Sequence, residues 1–184
     1  MKNNGIKTST LRIAVCAVIA ALSLALMLLT SVVPIGTYAF PCFAGIFLSV
    51  IVVEFGLKWA LLVYLVVSVL SLFLSGDKEA AAFFIMLFGY YPILKNIFER
   101  KLKSRGVRII LKLVVFNAAA IAAFFVTTWL LAIPAEEYTI MGVYIPWAFL
   151  VAGNIFFIVY DMAVSVFVKQ YITRLRGKIL GNKY

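Results

Sequence analysis

The sequence predicts an all-α fold, an integral membrane bundle of six transmembrane helices with both termini cytoplasmic, and three observations carry that prediction. Apolar residues make up 65% of the chain and the mean hydropathy is +1.11, well outside the range of a soluble domain. Apolar runs of spanning length consume nearly all of the 184 residues, so that 1–184 reads as a single transmembrane domain. With the N-terminus inside, every one of the 17 Lys and Arg except Lys78 falls at a cytoplasmic end or loop, the side that basic residues favour.

The spans follow in order. The first, 11–33, comes after a basic start (Lys2, Lys7, Arg12); it is long enough to cross a bilayer and ends in a proline-containing turn, which argues against a cleaved signal peptide. The second and third, 39–55 and 57–75, are separated only by EFGLK, Glu54 to Lys58, and form a tight helical hairpin. The fourth, 80–98, contains FFIMLFGYYPILKNIFER, in which Gly89, two tyrosines, Pro92 and Lys95 interrupt an apolar helix. Gly89 permits close helix approach, and Pro92 frees a backbone carbonyl and bends the helix. The basic connection ERKLKSRGVR leads to the fifth span, 109–133, and the sixth, 143–168, precedes the basic tail KQYITRLRGKILGNK.

The formal net charge of +10 lies at helix ends, where topology accounts for it. Contact with anionic headgroups is expected, and nucleic acid is not a partner. The outer loops SGDKEA and IPAEEYT are acidic, with Asp77, Glu79, Glu136 and Glu137 opposed only by Lys78, although acidic residues are also simply tolerated outside.

The composition argues against catalysis. There is no histidine, so the usual zinc sets and histidine-based triads are absent, and the sequence calls for no metal or cofactor. Asp161 is the one carboxylate deep in a span, and Cys16 has no histidine to activate it; the chain does not read as an enzyme. Cys16 and Cys42 fall near opposite membrane faces, roughly 20 Å or more apart, too far to pair.

Three groups of residues are candidates for function. Ionisable groups inside spans are costly and find partners. At about 1.5 Å per residue, Lys95, Asn117 and Asp161 lie at similar depth, and a bend at Pro92 would aim Tyr91 and Lys95 toward Asp161 and Asn117. Lys95 reaching instead to the headgroups, and a structural role for the whole cluster, are the plainer readings. Near the outer boundary, Tyr38, Trp129, Glu136, Glu137, Tyr138, Trp147 and Asn154 are candidates to line a substrate pocket, with an aromatic belt as the plain alternative for the tryptophans. In the first span, Ala14, Ala17, Ala21 and Ala25 make a strip of small side chains that another helix can approach closely, either within the bundle or from a partner.

The alanine-spaced first helix AVCAVIAALSLA, the outer loop VPIGTYAFP and the six spans with both ends inside resemble, over the whole chain, the S components of energy-coupling factor (ECF) transporters. That resemblance implies a bacterial cell-membrane subunit for vitamin or similar nutrient uptake. Its small-molecule ligand would sit near the outer face, bound by the later helices and capped by the first loop. Its alanine strip would dock onto a transmembrane scaffold subunit driven by an ATPase pair. LFGYYPILKNIFER, with VVFNAA and VYDMA, is also similar to a set of small uncharacterised bacterial membrane proteins. The chain carries no Walker sequence of its own and needs a partner to do work. The competing expectation is a non-catalytic membrane scaffold resembling the small rod-shape-determining membrane proteins, which would bind no small molecule.

Overall fold

The computed structural model describes residues 3–33, 36–126, 128, 139–140, 143–144 and 146–177, with side chains described from residue 9 onward except at 139–140, 143–144 and 146–149. The described residues are helical apart from short connections and one two-residue ladder, Thr139–Ile140 (β1) against Val143–Tyr144 (β2). Five helices are long and apolar enough to cross a membrane, and a sixth, Ala39–Phe55, is apolar but shorter. The chain divides into two compact units, 1–94 and 95–184.

In the N-terminal unit, α1 (Asn3–Leu29) packs against α2 (Ala39–Phe55) and α3 (Leu57–Leu74). α1 starts earlier than its apolar run because the polar residues before Leu11 continue the helix. α2 is apolar all round and rich in small residues, and it is buried over most of its surface, including Ala44, Gly45, Leu48, Ser49 and Ile51. Gly56 closes the α2–α3 hairpin at φ +84°, a left-handed conformation that a side chain disfavours, while its N–H bonds Ile51 O at 3.1 Å.

α1 is two-faced. Cys16, Ile19, Ser23, Met27 and, just past its end, Thr30 recur at three- and four-residue intervals and are buried. Ala14, Ala17, Ala21 and Ala25 lie exposed with Ile13, Val18, Leu22 and Leu29. The polar groups hidden inside this unit are largely hydroxyls that return their protons to backbone carbonyls. Ser23 donates to Ala44 O (3.3 Å), Thr30 and Ser75 both donate to Met27 O (2.7 and 3.1 Å), Ser49 to Ile46 O (2.6 Å) and Ser71 to Ser68 O (3.1 Å).

The fourth span is broken. α4 (Lys78–Phe83) is capped by Asp77, whose carboxylate accepts from Ala80 N at 2.9 Å, and runs into a π-helical turn, Phe84–Phe88, closed by Gly89 N donating to Phe84 O at 2.7 Å. α5 (Tyr91–Lys101) then begins with Pro92 in its first turn, where a missing N–H does least harm. Tyr64 of α3 secures the irregular turn, its hydroxyl donating to Ile85 O at 2.8 Å. Its ring leaves no space at Gly89: a Cβ there would stand 2.8 Å from Tyr64 Cδ2 and 2.9 Å from Phe84 O. The bend expected from Gly89 and Pro92 is therefore a π turn plus a helix restart.

In the C-terminal unit, α6 (Arg105–Phe125) and α7 (Pro146–Gln170) pack antiparallel, and α7 continues into a π-helical turn, Tyr171–Leu175. Phe116 and Phe157 stack at 4.4 Å between ring centroids and 18° between planes. The outward faces, among them Ile110, Val114, Phe125, Val151, Ile155 and Met162, are apolar and exposed, as suits helices that lipid covers.

Candidate functional site

The C-terminal unit gathers four charges from three helices. α5 supplies Lys95 and Glu99 one turn apart, the first turns of α6 supply Lys112, and the second half of α7 supplies Asp161. Lys95 Nζ donates to the Asp161 carboxylate, to Asp161 O at 2.9 Å and to Ser165 Oγ at 2.7 Å, and lies 3.5 Å from Glu99 Oε1. Ser165 donates its own proton to Asp161 O at 2.9 Å, so its oxygen is free to accept from the ammonium. Lys112 Nζ bonds Glu99 Oε1 and Asp161 Oδ1, both at 3.0 Å.

Each carboxylate thus faces both ammonium groups, and the four charges sum to zero. Lys95 and Lys112 are only 7% and 6% exposed, a burial that charged groups tolerate when they are paired and hydrogen-bonded.

Further along the same α6–α7 seam, Asn117 and Asn154 form a reciprocal amide pair. Each Nδ2 donates to the other's Oδ1, at 2.8 and 2.9 Å, and also to a carbonyl one turn back on its own helix, Leu113 O or Leu150 O, at 2.8 Å. As α6 advances from 112 through 116 to 117, α7 runs back from 161 through 157 to 154, so the charges, the stacked rings and the amides lie in sequence along one antiparallel contact.

Of the polar residues singled out in the spans, Lys95 and Asp161 meet. Lys95 does not reach away toward a headgroup region; it is buried and bonded. Asn117 turns to Asn154 rather than to Asp161, because the antiparallel register places 117 opposite 154. Tyr91 is buried and belongs to the N-terminal unit.

Lys112, Glu99 and Ser165 complete the network and were not anticipated as members. Lys112 reads as one more basic residue at a helix end because the fifth apolar run begins at 109, whereas α6 begins at Arg105 and places Lys112 two turns inside it.

Of the residues proposed to line an outer pocket, Trp129, Glu136, Glu137 and Tyr138 lie outside the described residues, as does the side chain of Trp147. Asn154 is engaged in the amide pair. Tyr38 is exposed, lies against Phe83 with ring centroids 5.1 Å apart and planes tilted by 43°, and donates to Glu79 Oε1 at 3.1 Å beside a bond from Thr37 to Asp77 Oδ2 at 2.8 Å. Lys78, the single basic residue of the loops expected outside, caps α3 by donating to Leu72 O and Ser75 O, both at 2.7 Å. Cys16 and Cys42 are buried free thiols. Among the described residues no group of three or more His, Cys, Asp or Glu is placed to hold a metal ion.

Arg12 has a role that its place in the basic start did not suggest. Its guanidinium lies 5.4 Å from the Trp59 ring centroid and 5.9 Å from that of Phe55, fixing the start of the apolar part of α1 against the α2–α3 hairpin.

The helices define a chain compatible with a multi-pass membrane protein, organised around hydroxyl contacts in one unit and a neutral charge network in the other. Compared with known proteins, the chain matches no family model, no curated protein and no solved structure.

Proposed function

We propose that the chain is the membrane-embedded, substrate-binding subunit of an ECF-type uptake transporter, with both termini cytoplasmic in a bacterial cell membrane, and that α1 carries its docking face. The observation that supports this reading is the exposure of all four alanines of the strip. Ala14, Ala17, Ala21 and Ala25 share the outward side of α1, while the opposite side supplies the buried contacts to α2 and α3. Without a hydrophobic driving force between helices in lipid, close backbone approach over small residues is a main source of association. The charge network and the mutually satisfied asparagines hold α5, α6 and α7 together, as a bundle that binds a ligand and relies on a partner for work would need.

Native mass spectrometry of the gently purified protein tests the reading. The expected result is a retained small molecule together with a copurifying membrane subunit. A chain that carries neither, and shows no saturable small-molecule binding, would instead fit a scaffold.

A further inference from the structure

The charge network has one member unlike the other three. The side chains of Lys95 and Lys112 are 8% and 6% exposed and that of Asp161 is 25% exposed, whereas that of Glu99 is 41% exposed. A single oxygen of Glu99 stands between two buried ammonium groups, 3.5 Å from Lys95 Nζ and 3.0 Å from Lys112 Nζ. Two lysines converging on one anionic oxygen is also the way such side chains hold a phosphate.

The surroundings favour the same class of ligand. The chain that follows Glu99 carries Arg100, Lys101, Lys103 and Arg105, all exposed, then Arg108, with no acidic residue among them. Such a run concentrates anions at its surface.

We propose that Lys95 and Lys112 form a phosphate-binding site, and that Glu99 occupies it as an internal substitute which a phosphate group displaces. Asp161 stays in place when this happens, because Lys95 is also bonded to its backbone oxygen and to Ser165. Withdrawing Glu99 leaves two positive charges against one negative, and the single charge of a phosphodiester restores neutrality. Glu99 can withdraw because it is the exposed member, on a long side chain near the end of α5. The phosphate can belong to a lipid headgroup or be free in solution, since both present the same oxygens.

The test compares the full-length wild type with Glu99→Gln and with Glu54→Gln, a carboxylate removed at the end of α2, by native mass spectrometry with added phosphatidylglycerol and, separately, with inorganic phosphate. Glu99→Gln should bind about fivefold more tightly than wild type, and Glu54→Gln should not. A gain with phosphatidylglycerol alone assigns the site to a headgroup, and a gain with inorganic phosphate as well assigns it to phosphate in general; either supports the proposal.

Adding Lys112→Gln to Glu99→Gln leaves Lys95 balanced by Asp161, preserves folding, and should return binding to the wild-type level. Equal binding by wild type and Glu99→Gln overturns the proposal, as does a matching gain in Glu54→Gln or a gain that survives in the double variant.

Discussion

The two units solve the same problem with opposite chemistry. In the N-terminal unit the buried polar groups are largely hydroxyls, such as Ser23, Thr30, Ser49, Ser71 and Ser75, each returning its proton to a nearby carbonyl. In the C-terminal unit they are the ammonium groups of Lys95 and Lys112, neutralised by half-buried Asp161, beside the half-buried carboxamides of Asn117 and Asn154, and these groups satisfy one another across helices. A hydroxyl needs one acceptor, which Thr30, Ser49 and Ser71 find three residues back and Ser23 and Ser75 find on a neighbouring helix. That lets α1, α2 and α3 approach over small side chains with no charge to neutralise. A buried charge has no such local remedy and fixes the helices to the partners that neutralise it. Substitutions should therefore be absorbed in the first unit unless they add volume, and felt in the second whenever they change charge.

The largest effect is expected at Asp161. Asp161→Leu leaves Lys95 and Lys112 facing Glu99 alone and should lower stability by about 3 kcal/mol, as breaking a buried pair does. Asp161→Asn keeps an acceptor for both lysines and should lose about half as much. Thermal unfolding in detergent measures both, and equal losses would show that charge alone, rather than hydrogen bonding, holds the network.

A smaller effect is expected from added volume in the first unit. Gly89→Ala places a methyl 2.8 Å from the Tyr64 ring and 2.9 Å from Phe84 O, and overpacking of this kind costs about 1–3 kcal/mol. Gly106→Ala meets nothing within 4 Å and should be neutral or mildly stabilising. Identical behaviour of the two glycine variants would mean that the π turn yields, and that the first unit is softer than the contrast between the units requires.

Much of the architecture was legible because bilayer physics writes itself into long apolar runs. α2 and its hairpin with α3 fall where EFGLK placed them, and the left-handed Gly56 is the reason. Helix ends were less legible, since α1 and α6 begin earlier than their apolar runs: polar and basic residues such as Lys7 and Arg105 end hydrophobicity without ending a helix.

Matching depths brought Lys95 and Asp161 together, but depth is a distance along an axis and carries no rotation. That is why Asn117 was set beside Asp161 when its register partner is Asn154, and why Lys112 was overlooked although its depth was in reach. The π turn after Phe83 was illegible for a related reason. Pro92 and Gly89 announce a bend, and only the ring and hydroxyl of Tyr64, from another helix, decide its form.

The two faces of α1 give the most direct test of the proposed role. Ala17 and Ala21 lie on the exposed side, away from Cys16, Ile19 and Ser23, so a leucine at either position has room within the chain and would obstruct only a helix docking from outside. Measured side by side for wild type, Ala17→Leu and Ala21→Leu, the decisive quantities are the amount of folded protein and the copurification of a membrane partner. Unchanged folding and loss of the partner are expected in both variants. Retention of the partner by both, or loss of folding in both, would contradict the proposed role.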